Sequence, residues 1–311
     1  MSATAIPLLV LTGPTGSGKS GIAPLVAEKR GAEIICADSR QIFREIAIGS
    51  AAPLPSETRG VPHHLYGVLD PSEECSAGRF RGMAEPVIDG VRLRGKIPML
   101  VGGSGLYIES LAGQIGLAPP VRRETVSLLR KQAETGGARS LWEELSGIDP
   151  ASAEKINPSD SFRIVRAISV YRETGKTFSS FLNPTPSRYS PILRAAIAWP
   201  RNKLYERIDA RCDEMIKAGI LEEARLLKER GLSPSLPAMR SIGYHHLFAV
   251  LDGNMTLKQA VELMKRDSRR YAKRQFTWLR GRGGNVAWFE GEDGPATLVE
   301  RLSKHYESVI F

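Results

Sequence analysis

Cysteine is scarce: Cys36, Cys75 and Cys212 are the three in 311 residues, and no two share C-x-x-C spacing. Such a pattern supports neither a disulfide framework nor a zinc knuckle, and it predicts buried thiols in a reducing cytosol. Long apolar runs are missing too. No segment approaches the ~18 consecutive apolar residues of a membrane helix, and the first residues carry neither a basic region nor a small-residue cleavage site. The expectation is a cytoplasmic protein with no membrane partner. Histidine is limited to five residues. Four of them form the adjacent pairs His63-His64 and His245-His246, whose rings diverge on any regular element, which argues against a metal site. No internal repeat or low-complexity tract is present. An acid is also absent where a motor-type or switch-type ATPase requires one. The apolar run 97–101 ends in Gly102-Gly-Ser-Gly105, not in the Mg2+-binding carboxylate of a Walker-B strand. That moves weight from an ATPase towards a small transferase, in which phosphate is bound as donor or leaving group.

What is present begins with Gly13-Pro-Thr-Gly-Ser-Gly-Lys-Ser20, a complete G-x-x-x-x-G-K-S loop directly after the apolar run 6–11. A buried strand that breaks into glycines and opens a helix, here from Ser20 to about Arg30, points backbone N–H groups and the positive end of the helix dipole at one spot. The loop residues Gly13, Pro14, Thr15, Gly16, Ser17, Gly18, Lys19 and Ser20 are therefore expected to bind a diphosphate or nucleotide. Lys19 supplies a charge for the terminal phosphates, and the Ser20 hydroxyl is suited to Mg2+.

Apolar residues make up 42% of the chain and the formal net charge is +9. The first figure is ample for a core. The second fits a polyanionic partner or merely a basic surface, and the location of the charge has to decide. The length suits one α/β domain with a sizeable insertion. A second apolar run, 33–37, ends in Asp38, and the runs at 6–11, 33–37 and 97–101 read as buried parallel strands delivering loops to one sheet edge. Residues 53–71 read as irregular and 77–94 as helical. Helical stretches at 121–134, 138–145 and 162–174 are separated by Gly136-Gly137, by Asn157-Pro158 and by a Pro/Ser-rich run at 183–191. This gives a division into a first part of the core (1–116), a helical insertion (117–191) and the rest of the core (192–311). Strand character returns at 194–199, followed by amphipathic helices at 202–219, 221–230 and 257–280.

Asp38 leaves its strand beside the phosphate loop, where a carboxylate can act as general base or touch Mg2+ through water. The plainer reading is an N-cap for a helix starting near Gln41. Ser104 either donates to a substrate or merely opens the next helix. The segment 265–282 holds eight basic residues and one acid. On a helix, Lys265, Arg266, Arg269, Arg270, Lys273 and Arg280 share an arc of ~140°, with Met264, Tyr271, Trp278 and Leu279 opposite. One face would dock on the protein and the other meet nucleic-acid phosphates, unless acids elsewhere pair with it. Arg163, Arg166 and Arg240 would extend that surface. Arg207 and Arg211, one turn apart, either clamp an anion or form surface ion pairs.

Taken together, Gly13-Pro-Thr-Gly-Ser-Gly-Lys-Ser20, Ala37-Asp-Ser-Arg-Gln41, Val61-Pro-His-His-Leu65, Val101-Gly-Gly-Ser-Gly-Leu-Tyr107, Ser241-Ile-Gly-Tyr244 and Ala272-Lys-Arg-Gln-Phe-Thr-Trp-Leu-Arg280 closely resemble the bacterial tRNA dimethylallyltransferases, also called tRNA isopentenyltransferases. The resemblance implies an α/β fold with a P-loop NTPase-like parallel sheet flanked by helices, and a helical insertion belonging to the RNA-binding apparatus. It implies transfer of a dimethylallyl group from dimethylallyl diphosphate to N6 of the adenosine beside the anticodon, position 37, in tRNAs reading U-initial codons. The partners would be the tRNA anticodon stem-loop and the allylic diphosphate, the cofactor Mg2+, and the enzyme a monomer. By the same resemblance, Asp38 takes a proton from the adenine amine, Lys19 and Ser20 serve the diphosphate and Mg2+, and Arg211 grips the diphosphate. The tRNA contacts fall to Asp38, Ser39, Arg40, Gln41, Ser104, Phe162, Arg163, Ile164, Val165, Arg166, Arg240, Ser241, Ile242, Gly243, Tyr244, His245, Lys273 and Arg274. Two departures stand out: His245 replaces the usual Lys or Arg, and Ile42-Phe-Arg-Glu-Ile46 replaces the usual Val-Tyr-Lys-x-Met/Leu. The main rivals are a P-loop small-molecule kinase using ATP, which has no use for the basic helix, and a nucleotide-gated RNA-binding protein without covalent chemistry, which has no use for Asp38.

Overall fold

A computed structural model describes residues 7–113, 115–183, 186–281 and 286–307. Ile6 of the first apolar run, Pro184 and Thr185 of the Pro/Ser-rich run, and Arg282 of the basic segment lie outside the described residues. The elements are β1 (Leu8–Thr12), α1 (Lys19–Arg30), β2 (Ala32–Cys36), α2 (Ala47–Ser50), β3 (His63–His64), α3 (Ala77–Leu93), β4 (Ile97–Val101), α4 (Gly105–Ala112), α5 (Arg123–Ile148), α6 (Pro150–Lys155), α7 (Ser161–Thr174), β5 (Ile192–Ala198), α8 (Arg201–Lys217), α9 (Ile220–Glu229), α10 (Tyr244–Leu251), α11 (Leu257–Gly281), β6 (Ala287–Glu290) and α12 (Pro295–Glu307).

The strands form one six-stranded sheet in the order β3-β2-β4-β1-β5-β6, and every neighbouring pair is parallel. Every residue of β1 and β2 is buried, Glu33 of β2 in ion pairs with Arg94 and His64, and the strands are otherwise largely apolar because helices cover both faces of such a sheet. Leu9, Leu11, Ile34, Met99, Ala195 and Ile197 from the strands pack with Val26 and Ala27 of α1 and Leu298, Leu302 and Tyr306 of α12. This order sets β1 in the middle, so the loops after β1, β2 and β4 emerge side by side at the carboxyl edge, where open α/β sheets bind ligands.

Two strands escaped the sequence reading. β3 lies within the segment expected to be irregular and pairs with β2 over only two positions. At the opposite edge, β6 pairs with β5 from Ala287 to Glu290. Both are too short to show a periodicity.

The chain divides into a sheet unit, residues 1–111 and 189–311, and a helical unit, 112–188; the sequence reading had drawn the insertion at 117–191. Tyr189 is 2% exposed and lies beneath the Arg92 guanidinium, 4.9 Å from the ring centre, which ties that residue to α3 of the sheet unit. Within the helical unit, Leu129, Leu141 and Leu145 of α5 pack on Ile164, Val165 and Ile168 of α7. Gly136-Gly137 interrupts α5 as expected: Gly137 has φ 79° and ψ 151°, so the two expected helices run on across a kink. Asp149 caps α6 and also accepts the Ser179 N–H at 2.8 Å.

Candidate functional site

The phosphate loop is shaped from behind. At Gly13 φ is +139°, and a Cβ there would lie 2.7 Å from the Ile197 carbonyl oxygen of β5, so only glycine fits. Gly18, at φ 90°, precedes α1, whose first turn receives no side-chain cap. Its N–H groups thus face the loop's concavity. The Lys19 ammonium folds back to donate to the Gly13 and Pro14 carbonyls, both at 3.0 Å. Burial pushes the Lys19 pKa down to about 8; Asp38 opposes that shift and Arg211 adds to it. Those couplings bring Lys19, Asp38 and Arg211 into one electrostatic cluster, although 173 residues separate Asp38 from Arg211.

Arg207 and Arg211 share a face of α8 but divide the work. Arg211 reaches in, donating to the Thr15 hydroxyl at 3.2 Å and to the Ser50 carbonyl at 3.4 Å, and burial pushes its pKa down. Arg207 stays outside. Its guanidinium lies 4.2 Å over the Trp199 ring and donates to the Gly16 carbonyl at 2.9 Å, while the Trp199 indole N–H donates to the Ser17 carbonyl at 3.0 Å. The loop's outward carbonyls are thereby held in place.

Asp38 does not cap a helix at Gln41, because the next helix, α2, starts only at Ala47. Its carboxylate accepts the Arg40 N–H at 2.9 Å, an Asx-type turn that fixes the side chain half-buried beside Lys19. Next to it, the Ser104 hydroxyl oxygen accepts the Ser39 N–H at 2.8 Å, and the Ser104 N–H donates to Ala37 at 3.2 Å. Ser104 also opens α4, its carbonyl accepting from Tyr107 and Ile108. The Gly102-Gly103 turn is therefore pressed against the Asp38 loop, and a Cβ on Gly102 would overlap the Ala37 carbonyl.

The remaining sequence-derived contacts fall into two groups. Arg40 donates to the Pro237 carbonyl at 2.6 Å. Gln41 is 7% exposed and donates to the Ala51 carbonyl at 2.7 Å, so its amide staples a turn and does not face solvent. Ser241, Gly243 and Tyr244 are buried; the Tyr244 hydroxyl donates to Glu223 at 2.5 Å, and Glu223 also accepts the Ile48 and Gly49 N–H groups. Ile164 and Val165 belong to the helical unit's core, and Arg166 donates to the Pro119 carbonyl at 2.7 Å. These side chains were expected at an RNA surface and are instead spent on internal contacts. Phe162 and Arg163 are exposed on α7, the latter paired with Asp160 at 2.6 Å. Ile242 is half-buried, while Arg240 and His245 are exposed.

The basic arc on α11 also splits. Lys265 pairs with Asp213 at 2.8 Å and Arg269 with Asp209 at 2.5 Å, so these two dock on α8. Arg266 is held by Asp267 at 2.9 Å. Further along, Arg270, Lys273, Arg274, Thr277, Trp278 and Gly281 line an open hollow of about 660 Å³. Of the opposite face, Met264 and Leu279 are buried and Tyr271 is half-buried, whereas Trp278, expected among them, is half-buried and opens onto the same hollow as the cations. Burial pushes the Tyr271 pKa up to about 12, with Asp38 adding and Arg40 and Arg274 opposing, which sets Tyr271 beside the Asp38 cluster.

The His245 and His246 rings do not diverge: their centres lie 3.7 Å apart at the start of α10. Together with Asp267 their ligand atoms fall within 4.8 Å of one another, but Arg266 donates to Asp267 Oδ1 at 2.9 Å and the neighbouring guanidinium groups disfavour a cation. Sequence reasoning missed Trp199 and Glu223, and it quoted Gln275 within the 272–280 motif without assigning it a role. Each acts on backbone atoms remote in sequence, and no local pattern signals that.

A sequence model for IPP transferases matches residues 41–282, and one for isopentenyl transferases matches residues 6–66. The chain is 41% identical over 310 residues to a tRNA dimethylallyltransferase of Pelotomaculum thermopropionicum, spanning 98% of each chain. A solved structure of the full-length tRNA isopentenylpyrophosphate transferase of Bacillus halodurans superposes with a TM-score of 0.74 at 34% identity, covering 98% of this chain and 97% of that one. A eukaryotic dimethylallyltransferase solved acting on tRNA gives a TM-score of 0.79 at 28% identity, covering 91% of this chain and 73% of that one.

Proposed function

The chain belongs to the IPP transferase family, and on that footing we propose that it is a tRNA dimethylallyltransferase. It joins the allylic carbon of dimethylallyl diphosphate to N6 of adenosine 37 in tRNAs reading U-initial codons, and releases diphosphate. The observation that carries this reading is the gathering of Lys19, Arg211 and Asp38 over the phosphate loop, with the exposed cations of α11 on the same unit. A small-molecule kinase needs the first and has no use for the second.

In this mechanism the allylic carbon carries positive charge as its C–O bond breaks, and negative charge grows on the leaving diphosphate. Lys19 and Arg211 stabilise that charge, together with the α1 N-terminus. The Asp38 carboxylate orients the exocyclic amine and takes its proton late, once the new C–N bond has raised the acidity of that proton. The Ser20 hydroxyl is a hard oxygen donor that fits Mg2+. When bound, Mg2+ neutralises charge on the diphosphate oxygens. Lys273, Arg274 and Arg270 contact phosphates of the anticodon stem-loop and supply salt-dependent affinity, and the target base is turned out of its loop to reach the buried site. No described helix is long and apolar enough to cross a membrane, and we assign the enzyme to the cytoplasm as a monomer.

Purified protein incubated with Mg2+, dimethylallyl diphosphate and unmodified tRNA tests this directly. The expected product is an adenosine heavier by one C5H8 unit in transcripts reading U-initial codons only. Unaltered nucleosides in every transcript would contradict the proposal.

A further inference from the structure

Gln275 lies on α11 between cations that face outward, yet its own side chain points inward and is 7% exposed. Its amide oxygen accepts the Thr15 N–H of the phosphate loop at 2.8 Å, and its amide nitrogen donates to the Gly103 carbonyl of the β4 turn at 3.0 Å. The fit is tight, because a Cβ on Gly103 would overlap the Gln275 amide nitrogen. Each loop leads on to reacting groups. The Thr15 hydroxyl accepts from Arg211 at 3.2 Å, and Ser104, next to Gly103, holds the Asp38 loop through the Ser39 N–H at 2.8 Å. One amide thus bridges the loop that would carry the donor's diphosphate and the turn that braces the proton acceptor.

We propose that Gln275 is a positioning residue that fixes the phosphate loop against the Asp38 loop, and so sets the distance between the allylic carbon and the acceptor amine. This rests on the transferase reading above. Glutamine suits the task because one end must accept an N–H and the other must donate to a carbonyl. Reaction rates are sensitive to misplacement on the scale of 1 Å, and a side chain locked at both ends holds that register. Since Lys273 and Arg274 directly precede Gln275 in sequence, RNA docked on their face bears on the same brace.

Two substitutions test it. Gln275→Met keeps the volume and removes both hydrogen bonds. The expected loss in kcat/KM for the allylic donor is roughly 10- to 100-fold, with tRNA affinity within about threefold, since the residue does not face RNA. Gln275→Glu separates positioning from mere packing. Its protonated carboxyl reproduces both bonds of the amide, whereas the carboxylate repels the Gly103 carbonyl and the diphosphate. Lys19, Asp38, Arg211, Tyr271 and Arg274 are the titratable and charged groups of this region; they are present in both proteins, and the variant adds to them only the carboxyl at 275. The ratio of the Gln275→Glu rate to the wild-type rate is therefore the reading, and it should rise as pH falls from about 8 to about 5. Thermal melts confirm that both variants are folded.

Wild-type activity accompanied by Gln275→Met activity within twofold, or by a Gln275→Glu ratio that does not change with pH, overturns the inference. Wild-type protein that forms no adduct overturns the transferase reading, and the inference with it.

Discussion

Replacing Asp38 by Asn removes one charge and little else. The Asn carbonyl oxygen can still accept the Arg40 N–H, a 2.9 Å contact in the native chain, so the turn that presents the side chain persists. Two effects of opposite sign follow. Loss of the proton acceptor lowers the chemical rate by roughly 10²- to 10⁴-fold, about 3–5 kcal/mol of barrier. The diphosphate site, by contrast, loses a negative neighbour: Asp38 acts electrostatically on both Lys19 and Arg211. Charges ~8 Å apart at an effective dielectric of ~20 interact by ~2 kcal/mol, so even partial relief of repulsion tightens donor binding several-fold. Single-turnover kinetics with saturating tRNA, read as nucleoside mass against donor concentration, give both numbers. The Asn variant should be slow at saturation and should saturate at lower donor concentration, with tRNA affinity within a few-fold of wild type. An unchanged rate would refute Asp38 as the base, and a raised donor requirement would refute its placement beside the diphosphate cations.

Charge on α11 should divide by face. Lys273→Gln with Arg274→Gln should weaken tRNA binding and lower the salt slope by roughly two. Lys265→Gln with Arg269→Gln should leave that slope nearly unchanged, because those side chains are paired with Asp213 and Asp209; filter binding at several salt concentrations distinguishes the two. Stability should also depend on His246, whose pKa burial pushes down to about 4, with His245 adding and Asp267 opposing. Between about 4 and the unfolded value of ~6.5 the unfolded chain binds the extra proton. Stability therefore falls as pH drops through that window, by up to ~1.4 kcal/mol per pH unit. In urea titrations at pH 7 and pH 5, His246→Gln should show a smaller difference than the native protein, and an identical difference would contradict the assignment.

The parts legible in sequence were those encoded locally. The phosphate loop declares itself in eight consecutive residues, and the strands before Gly13, Asp38 and Gly102 are mostly apolar because the parallel sheet buries both faces. The site was legible as a set of candidates and much less as a set of orientations. Gln41 and Tyr244 sit in recognisable motifs, yet their polar atoms are turned inward to Ala51 and Glu223. Helical periodicity grouped Lys265 and Arg269 with the outward-facing cations because it has no knowledge of the acids on α8. Gln275 stands in a recognisable motif, but its role was hidden, since its partners are 260 and 172 residues away in sequence. The adjacent His245 and His246 rings approach each other through their side-chain rotamers, which sequence position on a helix does not set.

The central claim is that the phosphate loop holds an allylic diphosphate as leaving group, not ATP as phosphoryl donor. Phosphorus NMR of the protein with Mg2+, tRNA and each donor in turn measures this most directly. The account predicts one free diphosphate from dimethylallyl diphosphate for every adenosine modified, with ATP left intact. Consumption of ATP stimulated by a small hydroxyl compound, without diphosphate release from the allylic donor, would contradict it.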